Sequence, residues 1–173
     1  MRQLQEMTVP GTVAAPADPA DYRKALGSFA TGVTVVTARH AGEDWAMTCN
    51  SFSSVSLEPR LVLWSIRKQA SSHPAFTTSG GFTVSVLAQD QQALARQFAT
   101  GSMADRFAGV PVRRLASERL RLDGVVAWFD CDLHQLVDAG DHHILIGAVR
   151  DYGWSDAPAL GFHRSKFVQL EAA

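Results

Sequence analysis

The sequence predicts a mainly β protein, in which an antiparallel sheet closes into a barrel and a few short helices flank it. Five segments are rich in Val, Ile, Thr and aromatic residues, as strands are: residues 33–37, 61–66, 82–87, 125–137 and 143–149. Short turns containing Gly, Asp or Ser join them. The predicted helices are too few to lie between every pair of strands, which excludes a doubly wound α/β fold.

The composition is that of one globular domain. Of the 173 residues, 46% are hydrophobic and 19% charged, with 16 Lys plus Arg against 17 Asp plus Glu. This balance gives no basic surface for nucleic acid. The two cysteines, Cys49 and Cys131, form no CxxC and fit a reducing cytoplasm, and no apolar run is long enough to span a membrane. We expect a flexible tail over residues 1–19 and a single cytoplasmic domain over 20–171.

One amphipathic helix is predicted over residues 19–30. Tyr22, Leu26 and Phe29 recur at helical spacing, and Asp18 or Asp21 is placed to cap the start. Two shorter helices are predicted at residues 74–78 and 91–98.

The long strand at residues 125–137 alternates in character. Phe129, Cys131 and Leu133 share one face, and Asp130 and Asp132 share the other, so one face is predicted to be buried and the other polar. Four nearby arginines are predicted to form a solvated loop or edge: Arg113, Arg114, Arg119 and Arg121.

The densest polar stretch outside the tail is MTCNSFSSVS, residues 47–56. Ser and Asn cluster in turns because they satisfy local backbone groups, so an ordinary loop is one interpretation. Phe52, Val55 and Leu57 make the stretch partly apolar, however. A flat heterocycle such as the isoalloxazine ring of a flavin needs hydrogen-bonding groups set against an apolar surface, and this stretch supplies both.

Residues 65–74, SIRKQASSHP, follow an apolar strand and lead into a predicted helix. Helix N-terminal amides, the Ser71 and Ser72 hydroxyls and the Lys68 charge could together bind a phosphate. Equally, one serine could be a simple N-cap while Lys68 is solvated.

A third candidate is the turn Asp141-His142-His143-Ile144. Adjacent residues of a strand point to opposite faces, so the two imidazoles do not chelate one metal, and no HExxH motif is present. The alternatives are two rim imidazoles or one that positions a ligand. Cys49 is more often a small buried residue than a nucleophile, and residues 101–109 do not match the GxGxxG dinucleotide motif.

Eight motifs occur in the order found in one known family: YRKAL at 22–26, TGVTVVT at 31–37, MTCNSFSSVSLEP at 47–59, GGFTVSVL at 80–87, QFA at 97–99, DRF at 105–107, GDH at 140–142 and IGAV at 146–149. With them, residues 20–170 resemble the flavin reductase-like family with an FMN-binding split barrel. The resemblance implies a homodimeric, Greek-key split β-barrel that passes a hydride from NADH or NADPH to FMN or FAD and supplies reduced flavin to a partner monooxygenase. The alternative is a flavin- or haem-binding barrel without turnover.

The resemblance also implies site residues, with no metal among the ligands. The ring would meet Thr48, Cys49, Asn50 and Ser51, with Ser56 close by. The ribityl-phosphate end would lie at Ser65, Lys68, Ser71 and Ser72, and the far side of the flavin at Phe98, Ser102, Met103 and Ala104. The nicotinamide dinucleotide would meet Asp141, His142, His143 and Ile144, with His142 as the catalytic residue. The chain departs from the family pattern at Ala46, Cys49 and Arg60, where Gly, Ala and Pro are common.

Overall fold

The computed structural model describes residues 18–170, so most of the predicted tail lies outside the described residues. The helices of this part are α1 (Pro19–Leu26), α2 (His73–Thr78), α3 (Gln92–Ala99) and α4 (Met103–Arg106), with one 3-10 turn at Gln89–Gln91. The strands are β1 (Thr31–Gly32), β2 (Thr34–His40), β3 (Glu43–Cys49), β4 (Ser53–Leu57), β5 (Arg60–Arg67), β6 (Gly81–Val86), β7 (Val112–Arg114), β8 (Leu120–Leu122), β9 (Ala127–Ala139), β10 (His142–Trp154), β11 (Leu160–His163) and β12 (Lys166–Gln169).

Seven strands form one antiparallel sheet in the order β3-β2-β6-β9-β10-β5-β4. Its two edge strands, β3 and β4, are consecutive in the chain and are joined only by residues 50–52. Three residues reach about 10 Å, so the sheet must curl until its two edges approach each other at this point. The strand pairings of this sheet are all antiparallel, which confirms the predicted antiparallel, mainly β class; β3 and β4 are not hydrogen-bonded to each other.

Two hydrophobic clusters fill the fold. In the first, Phe76 of α2 and Phe82 of β6 meet the fully buried Trp64 edge to face, at ring-centroid distances of 5.0 and 5.7 Å. In the second, Phe98 of α3 packs beside Val35 of β2. Burial of each such side chain contributes about 1.5–3 kcal/mol to stability, so α2 and α3 are held by their apolar faces.

The first helix is shorter than predicted. Asp18 caps it as expected, with its Oδ1 accepting a hydrogen bond from Ala20 N at 2.9 Å. The helix ends at Leu26, before residue 30, because the carbonyl of Gly27 accepts the amide of Arg164 at 2.8 Å instead of continuing the helical ladder. None of its residues is buried, and Phe29 beyond its end is 78% exposed.

The five predicted strands are present with shifted ends, and seven others were not predicted as strands. Two of these, β3 and β4, carry many polar residues because both lie at edges of the sheet, where side chains and backbone face the surface. The remaining five are only two to four residues long: β1, β7, β8, β11 and β12.

Two expectations are wrong: that the face of β9 carrying Asp130 is not buried, and that Arg119 belongs to a solvated edge. Asp130 is buried, and Arg119 Nε donates to its Oδ1 at 2.8 Å. The β7–β8 hairpin covers this face of the sheet, and Thr83 also donates to Asp130 at 3.2 Å. A buried ion pair therefore lies where the sequence pattern predicts solvent-exposed side chains.

Candidate functional site

One edge of β3 offers backbone groups to a ligand. A two-residue turn, Ala41–Gly42, with φ of 51° and 82°, joins β2 to β3, and it fixes which residues exchange hydrogen bonds across the hairpin. Counting from the turn, Ala46 and Thr48 fall at positions whose N–H and C=O point away from β2. Within the described residues no strand pairs with this side of β3, so the Thr48 backbone groups lie on a free edge.

A cavity of about 260 Å³ opens beside this edge. It brings together parts of all three predicted segments, and its lining consists of Met47, Thr48, Cys49, Asn50, Ser51, Ser65, Arg67, Ala70 and His142. The set contains one guanidinium, one imidazole and several hydroxyl groups but no carboxylate. An electron-rich or anionic ligand therefore fits its charge better than a cationic one.

Two of the hydroxyl groups mainly hold the segment in place. Ser51 Oγ accepts from Ser65 N at 2.9 Å and donates to Ser65 O at 3.2 Å, which ties residues 50–52 to β5. Thr48 Oγ1 donates to Ala95 O at 2.7 Å, which ties β3 to α3. Within residues 47–51, the polar groups that remain available to a ligand are the backbone groups of the β3 edge and the exposed side-chain amide of Asn50.

Cys49 contacts a hydroxyl rather than a base. Its Sγ lies 3.1 Å from Thr34 Oγ1, and burial raises the pKa of the Cys49 thiol above its ordinary value. A nucleophilic cysteine needs the opposite shift. Cys49 also borders a second, mostly apolar cavity of about 210 Å³, whose lining includes Arg96, Phe162 and Phe167.

The residues predicted to bind the phosphate make contacts within the chain. Lys68 Nζ binds both carboxylate oxygens of Asp138, at 2.9 and 2.8 Å, and this hydrogen bond lowers the pKa of Asp138. Ser72 is buried, with its Oγ 3.8 Å from Met47 Sδ, whereas Ser71 is exposed. Neither Lys68 nor these serines lines the cavity.

Arg67 lines the cavity instead, and the sequence interpretation did not include it. It lies directly opposite His142 in the β5–β10 ladder. Arg67 is the last residue of β5, and the adjacent Lys68, just beyond the strand, is paired with Asp138. A second cation beside Lys68 in the sequence is the signal that could have identified Arg67.

His142 and His143 make separate contacts, as their alternation predicted. His142 Nδ1 lies 2.7 Å from Asp141 Oδ1, and this hydrogen bond is the main cause that lowers the pKa of Asp141. His143 Nδ1 lies 2.7 Å from His73 Nε2, away from the cavity lining. Ile144, opposite Ser65 in the ladder, completes this end of β10.

Five further predicted residues also lie outside the cavity lining. Phe98 is fully buried in the second hydrophobic cluster, and Ser56 lines an apolar groove near Phe52 and Leu57. The other three belong to the start of α4: Ser102, Met103 and Ala104. Met103 Sδ accepts the Ala46 amide at 3.3 Å, so α4 backs the site from the side of β3.

Residues 18–170 contain no cluster of three or more His, Cys, Asp or Glu side chains placed to hold a metal ion. Each helix of the same range is too short or too polar to span a bilayer.

Comparison with known proteins gives a consistent result. A family model described as "Flavin reductase like domain" matches residues 26–171. The chain is 43% identical over 148 residues to the reductase component of a flavin-dependent trigonelline monooxygenase from Acinetobacter baylyi, covering 85% of this chain and 47% of that protein. It is 40% identical to a flavin reductase from Pseudomonas putida, covering 87% and 89%. The chain thus spans about half the length of the first of these relatives and most of the second.

Solved structures are similar as well. The NADH:FAD oxidoreductase SgcE6 of Streptomyces globisporus matches with a TM-score of 0.86 at 35% identity, covering 95% of this chain and all of that one. The flavin reductase PheA2 matches with a TM-score of 0.82 at 35% identity, covering 90% and 100%.

Proposed function

Since the chain belongs to the family of flavin reductase like domains, we propose that it transfers a hydride from NADH or NADPH to FMN or FAD. The observation that carries this proposal is the free backbone edge at Thr48, which faces a cavity that also contains His142 and Arg67.

The donor set fits a flavin. The edge of an isoalloxazine ring carries donors and acceptors in one plane, and an unpaired strand edge presents N–H and C=O groups in the same manner. Asn50 adds an amide, Ser65 lies beside it in the lining, and Arg67 adds a positive charge for an anionic group. When bound, the flavin supplies the redox chemistry.

The protein's task in such a reaction is positioning. A hydride donor must lie about 3–3.5 Å from its acceptor, and orientation of this kind accounts for much of the acceleration in two-substrate reactions. Asp141 accepts the hydrogen bond that orients the His142 ring beside the cavity, so His142 can hold the nicotinamide donor there. No acid–base step by the protein is needed.

The test is oxidation of NADH or NADPH, followed at its near-ultraviolet absorbance with FMN, FAD or no flavin. Flavin-dependent oxidation is expected, and the ratio of kcat/KM values identifies the preferred flavin and nucleotide. Flavin binding without oxidation would instead favour the alternative, a binding barrel without turnover.

We also propose that the reduced flavin leaves and serves a partner monooxygenase. Several relatives are named as reductase components of flavin-dependent monooxygenases. An anaerobic reaction with flavin in large molar excess tests release: reduction of the whole flavin pool supports it, whereas reduction of one equivalent per chain contradicts it.

A second copy of this chain is the proposed partner at the apolar groove of about 320 Å³ beside β4. Leu57 is 89% exposed there and Tyr152 49%, and an exposed apolar patch of this kind is typical of interfaces. Sedimentation equilibrium should give a dimer that Leu57→Asp weakens and Leu136→Asp, a change of a partly exposed leucine on β9, leaves intact. A wild-type monomer would contradict the proposal.

A further inference from the structure

The Asp105-Arg106-Phe107 motif has no place in the cavity, yet each of its side chains is held. Ser102 Oγ donates to Asp105 Oδ2 at 2.6 Å and accepts from Asp105 N, which caps α4. Phe107 meets Phe98 edge to face at 5.4 Å. The short helix α4 is thereby fixed against α3.

Gln97 of α3 strengthens this attachment. Its Nε2 lies 3.0–3.1 Å from the carbonyl oxygens of Asp105, Arg106 and Ala108, at the C-terminal end of α4 and just beyond it. The position of α4 is therefore set by α3 and by its own cap.

From this position, side chains of α4 form hydrogen bonds with the backbone of one residue of β3, Ala46. Arg106 Nη1 donates to Ala46 O at 2.6 Å, and Met103 Sδ accepts from Ala46 N at 3.3 Å. Both outward backbone groups of Ala46 are thus occupied by side chains of α4. Thr48, two residues further along the same edge, keeps its outward groups free.

An arginine at this contact costs free energy because its guanidinium is partly buried. Within residues 18–170, Arg106 forms no ion pair with a carboxylate. Its Nε is buried and has no hydrogen-bond partner among these residues. Burial also lowers the pKa of its guanidinium. A half-buried cation without a counter-charge costs free energy, and the hydrogen bond to Ala46 O offsets part of that cost.

We propose that Arg106 is a positioning residue that holds the edge of β3 in the geometry needed to bind the flavin ring at Thr48. Edge strands fray, and each backbone residue that a ligand must order costs about 1–2 kcal/mol of conformational free energy. Arg106 removes part of this cost beforehand, because Ala46 is already fixed next to the binding residue. The identity of the ligand in this inference rests on the proposed function. The ordering of β3 by Arg106 is independent of that function.

Two measurements on the full chain test it. In Arg106→Met we expect the dissociation constant for FMN or FAD, measured by quenching of flavin fluorescence, to rise about tenfold, as loss of one charge-assisted hydrogen bond implies. Arg106→Lys, which can still donate to Ala46 O, should restore part of the affinity. Met103→Leu should have a smaller effect because a thioether is a weak acceptor. At saturating flavin, the KM for NADH should not change.

Hydrogen exchange of the ligand-free protein separates positioning from general destabilisation. Arg106→Met should speed exchange in residues 43–52 and leave β9 and β10 protected. Arg23→Met, an exposed arginine of α1, is the matched control and should change neither measurement. Unchanged flavin affinity in Arg106→Met, or unchanged exchange of residues 43–52, would overturn the proposal. If the wild type binds no flavin, the proposed function fails, and the exchange data still decide whether Arg106 orders β3.

Discussion

The ring of His142 is oriented by a single hydrogen bond to Asp141 and faces the lining that contains Arg67 and the edge of β3. If this ring holds the nicotinamide donor, removal of the imidazole should selectively weaken binding of the nicotinamide nucleotide. We expect His142→Ala to raise the KM for the nicotinamide nucleotide about tenfold, the effect of one lost hydrogen bond, and to change the flavin dissociation constant little. Steady-state kinetics at saturating flavin measure this. His134→Ala, an exposed histidine of β9, is the control, and an equal KM in both variants would remove His142 from its role.

The buried pair of Arg119 and Asp130 should be critical for stability. Both side chains are less than one-tenth exposed, and removing one partner leaves the other charge uncompensated. Arg119→Leu is expected to lower the free energy of unfolding by about 3–5 kcal/mol, measured by chemical denaturation. Arg113→Leu removes an arginine that is two-thirds exposed and pairs only at 3.9 Å, so it should cost less than about 0.5 kcal/mol. Similar losses in the two variants would contradict the assignment.

Protonation of His73 should make stability depend on pH. Burial first, then the neighbouring His143 and Lys68, lower the pKa of His73 below its ordinary value of 6.5. As the pH falls through about 6.5, the unfolded chain therefore binds a proton that the folded chain does not, and the free energy of unfolding falls. Between pH 7.5 and 5.5 the wild type should lose more stability than His73→Gln. His134→Gln serves as the control and should follow the wild type, and a His73→Gln variant with the same pH slope would refute this account.

Among the elements, β10 packs closely against β6 and β9 at Gly147. A Cβ atom added there would lie 2.6 Å from Phe82 Cζ and 2.8 Å from Cys131 Cβ. Gly147→Ala should lower the free energy of unfolding by about 1–3 kcal/mol through overpacking, seen as a lower Tm. Gly32→Ala, where a Cβ would meet nothing within 4 Å, should have almost no effect. A tolerated Gly147→Ala would mean that β6 can shift away.

Sequence patterns predicted the elements that are buried on one side and failed for those at the edges. The apolar strands β2, β5 and β6 have clear composition signals, because their side chains fill the two clusters. The edge strands β3 and β4 read as a polar loop, since the residues that bind or face solvent there are the ones typical of turns. Residues 48–51 of the same polar stretch line the cavity, and their contact with a flavin stays a prediction.

At the scale of the whole molecule, pairings between distant residues could not be predicted. Lys68 and Asp138 are 70 residues apart, and only the β5–β10–β9 arrangement shows that this carboxylate neutralises the lysine expected to meet a phosphate. Arg119 and Asp130 are closer in the chain, yet their burial depends on how the β7–β8 hairpin folds back on the sheet. The three candidate segments were identified singly, and the register of the sheet decides which of their side chains meet.

The unpaired edge of β3 also has a consequence for the protein in concentrated solution. Exposed strand edges are templates on which another molecule can add a strand, and folded proteins usually cover or charge them. Here α4 covers Ala46, but the stretch around Thr48 is left open for a ligand. A bound flavin would occupy the same backbone groups, so the loaded protein should resist aggregation better than the ligand-free protein. Light scattering during storage with and without flavin would measure the difference in aggregation. Bound flavin would then protect the chain from self-association in addition to taking part in the reaction.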